Sequence, residues 1–243
     1  MEKNQRHLEE KEHFRRKAEA CGHSWWGQAT IAGRGRLKRK QRILSDFLKK
    51  GNLKTVILEI GCGAGELTSS VKKHIRVVGM DLSLDLLRFA KEANKGVEYI
   101  QADALAIPFE DQTFDFVVGD GILHHLDLIA ALNEIKRVLK DNGSILFFEP
   151  NMLNPQIFLE RKISFIRKIN QTQNETAFYR WNLKNILKRD WQNAEVKSFD
   201  FLHPATPKCL ISIVECIGFG LEKVPLIKEF AGSIYIEAEK RKI

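Results

Sequence analysis

The sequence predicts an α/β fold in which a mostly parallel, doubly wound sheet is covered by helices on both faces. Two observations predict it. Short apolar runs, typical of strands buried on both sides, alternate with segments in which apolar residues recur at helical spacing. Turns rich in glycine, asparagine and aspartate separate these segments. The chain of 243 residues is long enough for one such domain with additional elements at its edges.

Residues 1–50 precede the first strand and are predicted to form a helical arm. Residues 1 to about 20 are polar and basic with weak helical periodicity. A turn-rich patch follows over Cys21–Arg36, which contains four glycines, Gly33 and Gly35 among them, and the adjacent Trp25 and Trp26. A second helix is expected over Leu37–Lys50, and Gly51 would end it.

Residues 51–150 hold the predicted parallel sheet, in which turns or helices connect successive strands. We expect strands at Thr55–Ile60, Val77–Asp81, Val97–Gln101, Phe114–Gly119 and Ser144–Glu149. We expect helices at Gly65–Lys73, Ser83–Asn94 and Leu128–Leu139, and a turn at Asp141–Gly143.

The remaining residues are predicted to add a cap and a further edge to the sheet. Residues 151–206 break the alternation, and we interpret them as an inserted cap that binds the acceptor. The basic amphipathic stretch Ile157–Ile169 suits contact with a membrane surface or with a lipid-linked or phosphorylated acceptor, but a cap helix with a solvated face is the favoured interpretation. Residues 207–243 predict a helix to about Ile217 and an antiparallel hairpin of Leu221–Val224 with Ser233–Glu239.

Composition and charge exclude several classes of protein. Hydrophobic residues make up 44% of the chain, which is too many for a wholly disordered protein. No run approaches the roughly 18 apolar residues of a membrane span, and the N-terminus lacks the apolar segment of a signal peptide, so we expect a cytoplasmic location. The four cysteines show no CxxC spacing, which predicts free thiols and no metal site.

The net charge of +8 is unevenly distributed. Residues 1–50 carry +8, residues 51–150 carry −5 and residues 151–243 carry +5. Because the basic residues belong to the two flanking segments, the pattern favours an anionic acceptor held by those segments over a general nucleic-acid coat.

The first predicted strand runs into a glycine-rich turn that contains Gly61, Gly63 and Gly65. Such a turn lets the backbone approach a ligand closely at the start of the following segment. Glu66 stands where the dinucleotide fingerprint GxGxxG has its third glycine, and a negative side chain there disfavours a pyrophosphate. Asp81 ends the second strand, where folds of this kind place an acid that holds ribose hydroxyls. The pattern therefore predicts a nucleoside ligand without phosphate.

Five stretches carry a wider resemblance over about residues 55–150. They are Leu58–Gly65 (LEIGCGAG), Val78–Ser83 (VGMDLS), Gln101–Phe109 (QADALAIPF), Phe114–Leu126 (FDFVVGDGILHHL) and Val138–Ser144 (VLKDNGS). In order and spacing they resemble the class I S-adenosylmethionine (SAM)-dependent methyltransferases of the small-molecule type. The resemblance implies a Rossmann-like fold, SAM as cofactor and S-adenosylhomocysteine as product.

The resemblance also implies roles for particular residues around SAM. Glu59, Gly61, Gly63 and Gly65 would shape the pocket for its methionine part, Asp81 would bind the ribose, Leu82 would pack on adenine, and Asp103 with Ala104 would meet the adenine amino group. Asp120, at the end of the fourth strand, is a further predicted cofactor-binding residue. Arg34 or Arg36 of the arm would pair with the methionine carboxylate.

Residues that act on the acceptor are predicted at the carboxyl edge of the sheet and in the flanks. His124 and His125 follow the fourth strand, and histidine is the usual base where a hydroxyl or an acidic carbon is methylated. Structural packing of these rings remains an alternative. Trp25 and Trp26, together with His203, are candidate walls of the acceptor pocket, although the tryptophans suit core packing of the arm as well.

Three other functions were weighed against transfer to a small acceptor. The basic flanks prompt an RNA or other nucleic-acid methyltransferase, but residues 119–122 (GDGI) lack the Asn/Asp-Pro-Pro-aromatic motif of base-modifying amino-methylases. An NAD(P)-dependent oxidoreductase suits the sheet but conflicts with Glu66. A SAM-binding partner subunit without its own catalysis is compatible with the motifs.

Overall fold

The computed structural model describes residues 30–52, 54–72, 74–162 and 178–242. The helix expected over residues 1–20 lies outside the described residues, and so do Trp25 and Trp26. Most of the basic stretch predicted over Ile157–Ile169 lies outside them too, from Ile163 onward.

Seven strands and six α-helices make up the described fold. The strands are β1 (Val56–Ile60), β2 (Arg76–Asp81), β3 (Glu98–Gln101), β4 (Phe114–Asp120), β5 (Leu139–Pro150), β6 (Trp191–Phe199) and β7 (Ser233–Lys240). The helices are α1 (Ile31–Phe47), α2 (Leu84–Ala93), α3 (Leu128–Val138), α4 (Pro155–Lys162), α5 (Arg180–Asp190) and α6 (Ile211–Leu221).

The strands form a single sheet in the order β3-β2-β1-β4-β5-β7-β6. The first five strands in this order are parallel, whereas β7 runs antiparallel to both β5 and β6. The predicted doubly wound sheet, mostly parallel with a C-terminal antiparallel pair, is confirmed. Because the chain leaves β1 on one side to form β2 and returns on its other side as β4, the carboxyl ends of β1 and β4 flank a crevice.

Both faces of the sheet are buried. Along β1, Ile57 belongs to the cluster that contains Leu44 of α1, whereas Leu58 belongs to the cluster that contains Ile135 of α3. Successive side chains of a strand point to opposite faces, so a strand covered on both sides must be apolar throughout. This explains why the apolar runs predicted the strands so well.

Helix α1 begins at Ile31, earlier than the predicted start at Leu37. The Thr30 hydroxyl caps it by accepting from the backbone N–H of Gly33 at 2.9 Å. Gly33 and Gly35 are poor helix formers, and the prediction therefore placed them in a turn. In the structure Gly33 lines the crevice and Gly35 lies against Glu215, so close packing explains these glycines.

The helix predicted at Gly65–Lys73 is wrong, because the described part of this segment, residues 65–72, contains a single 3₁₀ turn, Thr68–Ser70, and no α-helix. Two hydroxyls there form other hydrogen bonds: Thr68 bonds to Glu59, and Ser69 donates to the carbonyl of Glu66 at 2.7 Å. Local bonds of this kind compete with a regular helix.

The predicted hairpin partner of the last strand is also wrong. Leu221 ends α6 and residues 222–224 follow it as turn, whereas β6 is the strand that pairs with β7. Residues 191–199, assigned to the cap from sequence, thus form the edge strand of the sheet. None of the helices in the described part of the chain has the length and apolar character needed to cross a membrane.

Candidate active site

A cavity of about 400 Å³ opens at the carboxyl ends of β1 and β4. Its wall is built from the glycine-rich turn, the ends of β2, β4 and β5, and one side of α1. The wall includes the predicted residues Arg36, Glu59, Gly61, Gly63, Asp81, Leu82, Asp103, Ala104, Asp120, His124 and His125. The fold therefore brings together most of the residues singled out from sequence.

The glycine-rich turn after β1 requires backbone conformations that favour glycine. Gly61 has a φ of +64°, and a Cβ built on it would lie 2.7 Å from a side-chain carbon of Ile122. Gly65, which is not part of the cavity wall, has a φ of +74°, and a Cβ there would lie 2.4 Å from the hydroxyl of Tyr99. Glycine at these positions lets the turn approach its neighbours and leaves open space at the end of β1.

Asp81 ends β2 and tethers the glycine-rich turn. One carboxylate oxygen accepts from the backbone N–H of Gly63 at 2.8 Å, and the other accepts from the N–H of Ser83 at 2.8 Å. Burial raises the pKa of this carboxyl. Since each carboxylate oxygen has a second lone pair, Asp81 can accept two more hydrogen bonds from hydroxyls of a ligand in the cavity.

Glu59 lies beneath the turn, on the cavity wall, and is only 2% exposed. Burial raises the pKa of its carboxyl from the ordinary 4.5 to about 8, and the nearby charges of Asp120 and Asp81 act in the same direction. The hydroxyl of Thr68 is its hydrogen-bond partner. A cationic ligand group in the cavity would favour the ionised form of Glu59.

The segment after β3 supplies a second part of the wall. The carboxylate of Asp103 accepts from the backbone N–H of Leu105 at 2.9 Å, and this bond holds the turn in which Ala104 is buried. Leu82, which follows Asp81, lines the same end of the cavity. An apolar side chain beside an acceptor oxygen is the environment that an adenine ring requires.

The arm provides two cations to the wall, and both are paired. Nζ of Lys40 lies 2.6 and 2.7 Å from the two carboxylate oxygens of Asp120. Arg36 donates from Nε to Asp200 at 2.7 Å and from Nη2 to the hydroxyl of Ser233 at 3.0 Å. Arg34 is exposed and is not part of the wall. Of the two arginines predicted to approach the cofactor, Arg36 alone reaches the cavity.

Lys40 was missed by the sequence analysis, although a signal for it existed. Gly33, Arg36 and Lys40 recur at helical spacing and all line the cavity. A helix placed from Ile31 would have shown that they share one face.

His124 and Glu149 form a buried pair on the opposite wall. Nδ1 of His124 lies 2.6 Å from Oε2 of Glu149, and their side chains are 8% and 0% exposed. Oε1 of Glu149 accepts from the backbone N–H groups of Ile122 at 3.1 Å and Leu123 at 2.7 Å. The carboxylate is therefore held in place, and with Nδ1–H donating to it, Nε2 of His124 is left as the acceptor.

Glu149 was not predicted as a site residue. It follows the apolar run Ile145–Phe148 at the carboxyl end of β5, which pairs in parallel with β4. The available signal was an acidic residue at the end of a buried strand. That strand neighbours β4, which precedes His124.

The other predicted acceptor residues divide between the cavity and the surface. His125 lines the cavity, and its ring centroid lies 4.1 Å from that of His124. His203 is exposed and is not part of the wall, although the adjacent Pro204 is. Nδ1 of His203 accepts from the N–H of Ala205 at 3.1 Å, a local turn.

The hydrogen-bonding and charged groups of the cavity wall fit SAM. Asp81 and Asp103 offer acceptors for a ribose and an adenine amino group, and the acids near Glu59 favour a sulfonium cation. Asp120 and Lys40 carry the opposite charges that an amino-acid zwitterion would require. The residues present are therefore consistent with this cofactor.

Comparison with known proteins agrees with the site. Residues 58–147 match the family described as "Methyltransferase domain". The protein MJ1252 of Methanocaldococcus jannaschii is 27% identical over 215 residues, which cover 84% of this chain and 82% of that protein. Demethylmenaquinone methyltransferase of Staphylococcus aureus (strain JH9) is 32% identical over 128 residues, which cover 49% of this chain and 52% of that protein. The alignment thus spans about half the length of the S. aureus protein.

Solved structures share the fold. The crystal structure of a SAM-dependent methyltransferase from Thermotoga maritima superimposes with a TM-score of 0.63 at 19% identity, covering 87% of this chain and 92% of that one. At this identity the likeness speaks for the fold. Taken with the family match, which covers residues 58–147, it shows that this part of the chain is similar to the methyltransferase domain and that the chain has the Rossmann-like fold of such proteins.

Proposed function

We propose that the protein transfers a methyl group from SAM to a small-molecule or lipid-linked acceptor, at a hydroxyl or an acidic carbon that gives up a proton. The observation that carries this proposal is the buried His124–Glu149 pair on the cavity wall. Such a pair holds the imidazole in the tautomer that can accept a proton at Nε2. The S. aureus relative, named as a demethylmenaquinone methyltransferase, supports a small organic acceptor.

The cofactor is proposed to occupy the side of the cavity nearest β1 and β2. Asp81 would hold the ribose, Leu82 and Asp103 the adenine, and Asp120 with Lys40 the amino and carboxylate groups of the methionine part. When bound there, SAM supplies an electrophilic methyl group whose transfer leaves S-adenosylhomocysteine.

His124 is proposed to accept the proton of the acceptor at Nε2 as the new bond to carbon forms and the carbon–sulfur bond breaks. Glu149 holds the Nδ1–H, which fixes the tautomer and stabilises the imidazolium that results. General-base catalysis of this kind contributes roughly 10²- to 10⁴-fold in rate. Positioning of the acceptor in a water-poor cavity would supply much of the rest.

The charge of the acceptor stays a prediction from the basic flanks. On the described part of the cavity wall, Arg36 pairs with Asp200 and Lys40 pairs with Asp120. Each pair is neutral overall, which suits the zwitterion of the methionine part and adds no net positive charge for the acceptor.

The test combines cofactor binding with a screen for acceptors. Calorimetry should detect micromolar-range binding of SAM and S-adenosylhomocysteine but not of NAD. Methyl-labelled SAM should then label phenols, enols or lipid extracts in preference to RNA. Absence of binding to either adenosyl compound would refute the proposal. Binding without label transfer to any acceptor class would instead favour a partner subunit, and transfer to RNA would favour the nucleic-acid alternative.

A further inference from the structure

Helix α6 and the segment after it expose large apolar side chains on one surface. Only Gly218 of α6 is buried, although the helix is composed largely of apolar residues. Besides Phe219, which contacts Arg39, six apolar side chains between residues 210 and 230 are between 41% and 79% exposed: Leu210, Ile213, Ile217, Val224, Leu226 and Phe230. We call these six residues the C-terminal apolar surface. Contiguous apolar exposure of this kind marks an interaction site.

Helix α6 exposes large apolar side chains that a surface helix ordinarily buries. Gly218 packs on the fold, because a Cβ built on it would lie 3.3 Å from Phe201. Glu215 faces the fold too, with a carboxylate oxygen 3.3 Å from a Cβ built on Gly35 of α1. Ile213 and Ile217, one turn apart, are 55% and 56% exposed. The helix therefore packs on the fold through a side that contains Gly218, Glu215 and the partly buried Val214, and it exposes Ile213 and Ile217 on the other side.

The acidic and the basic residues of the same segment differ in their contacts. Residues 208–230 contain three acids and three lysines. The acids point inward: Glu222 pairs with Arg39, Glu229 pairs with Arg180 at 2.8 Å, and Glu215 lies against α1. The lysines are Lys208, Lys223 and Lys228, and none of them forms an ion pair within the described residues. The outer side of this segment thus combines apolar side chains with uncompensated positive charge.

We propose that the C-terminal apolar surface docks the protein on an anionic lipid membrane. Interfacial helices bind membranes by inserting apolar side chains at the boundary of the acyl chains while basic residues meet anionic headgroups. The apolar stripe of α6 and its flanking lysines supply both components. Charge attraction to an acidic protein partner would leave the 79% exposure of Leu226, the most exposed of the six, unexplained.

The proposed membrane surface adjoins the cavity through the start of α4. Nδ2 of Asn154 donates to the carbonyl of Phe230 at 2.9 Å, and Ile157, one turn further along the chain, lines the cavity. A docked molecule would therefore hold its cavity close to the lipid. The docking itself does not depend on the identity of the acceptor, because vesicle binding is measured without turnover.

The test is flotation of the full chain with lipid vesicles, with SAM binding measured in parallel to show that each variant is folded. The wild type should float with vesicles of phosphatidylcholine that contain about a third phosphatidylglycerol, and only weakly with phosphatidylcholine alone. Ile217→Ser should lower the partition coefficient at least about tenfold. Ile129→Ser is the matched control, because Ile129 on α3 is 55% exposed and lies outside the surface.

Charge variants test the electrostatic part separately. Lys208→Gln with Lys223→Gln should lower partitioning about 25-fold on anionic vesicles, since each lysine near the surface contributes roughly fivefold. Lys91→Gln on α2 should leave it unchanged. Lack of flotation by the wild type, or equal losses in Ile217→Ser and Ile129→Ser, would overturn the proposal. So would a dimer in sedimentation that Ile217→Ser converts to monomer, because a second copy would then cover the surface.

Discussion

Oε2 of Glu149 lies 2.6 Å from Nδ1 of His124, at the meeting point of two neighbouring parallel strands. The carboxylate does more than contact the ring. Its second oxygen accepts two backbone N–H groups from the turn that carries His124, so the ring and its turn are held by one side chain. The geometry suits Glu149 as a positioning residue for His124, which lines the cavity.

Replacement of Glu149 tests this relationship. Glu149→Gln keeps the size of the side chain but removes the charge that stabilises a protonated His124, so kcat should fall about 100-fold. The KM for the acceptor and the affinity for S-adenosylhomocysteine should change little, because both carboxylate oxygens are already engaged by His124 and by the backbone N–H groups of Ile122 and Leu123. Steady-state kinetics and calorimetry measure the two effects.

Two further variants make the result interpretable. His124→Gln should lower kcat at least as much, and adding Glu149→Gln to it should cost little more, since the two residues act as a unit. Glu98→Gln on the exposed edge of β3 should behave as wild type. If Glu149→Gln retains full kcat, the pair has only a structural role.

The pair of Lys40 and Asp120 is predicted to bind the methionine part of SAM. Lys40→Met keeps much of the apolar stem but removes the ammonium, and should weaken SAM and S-adenosylhomocysteine by about tenfold through loss of one charge-assisted contact. Calorimetry measures both affinities. Lys38→Met is the matched control, because Lys38 is exposed on the same helix and does not line the cavity. Equal affinities in both variants would show that Lys40 serves only to anchor the arm.

The sequence predicted those features that depend on local pattern. The strands β1, β2, β4 and β5 were predicted because their buried parts are apolar on both faces. The glycine-rich turn and Asp81 were predicted because they lie close together in sequence, within one pair of neighbouring strands. These features also placed the predicted cofactor residues along one edge of the sheet.

Features that depend on contacts distant in sequence were not predicted. Glu149 and His124 are 25 residues apart and meet only because β5 pairs with β4. Similarly, β6 pairs with β7 across some 40 residues. Residues 221–224 were predicted as the partner of β7 instead, because their local pattern does not differ from that of a short strand. Gly33 and Gly35 were interpreted as turn residues because helix propensity alone does not show which glycines are required by close packing.

Asp81 offers a direct test of the proposed cofactor site. Asp81→Ala removes the acceptors for ribose hydroxyls and also the two bonds that tether Gly63 and Ser83, so SAM affinity should fall at least about 100-fold. Calorimetry with S-adenosylhomocysteine gives the same comparison without turnover. Asp85→Ala, on the first turn of α2, should bind normally because Asp85 does not line the cavity. Normal binding by Asp81→Ala would refute the ribose assignment.

Glu59 should make the ligand-free protein less stable as the pH rises. Its pKa in the folded protein is about 8, against an ordinary value of 4.5, so between these values the native state holds a proton that the unfolded state has released. The contribution of Glu59 to the free energy of unfolding is therefore full below about pH 4.5 and declines as the pH rises toward 8, by about 1.4 kcal/mol per pH unit inside the window.

Glu59→Gln cannot ionise, so its free energy of unfolding should rise relative to that of the wild type from pH 5 to pH 8. Urea denaturation across this range measures it, with Glu98→Gln as the exposed control. Parallel pH dependences of Glu59→Gln and wild type would show that the carboxyl of Glu59 titrates normally in the folded protein.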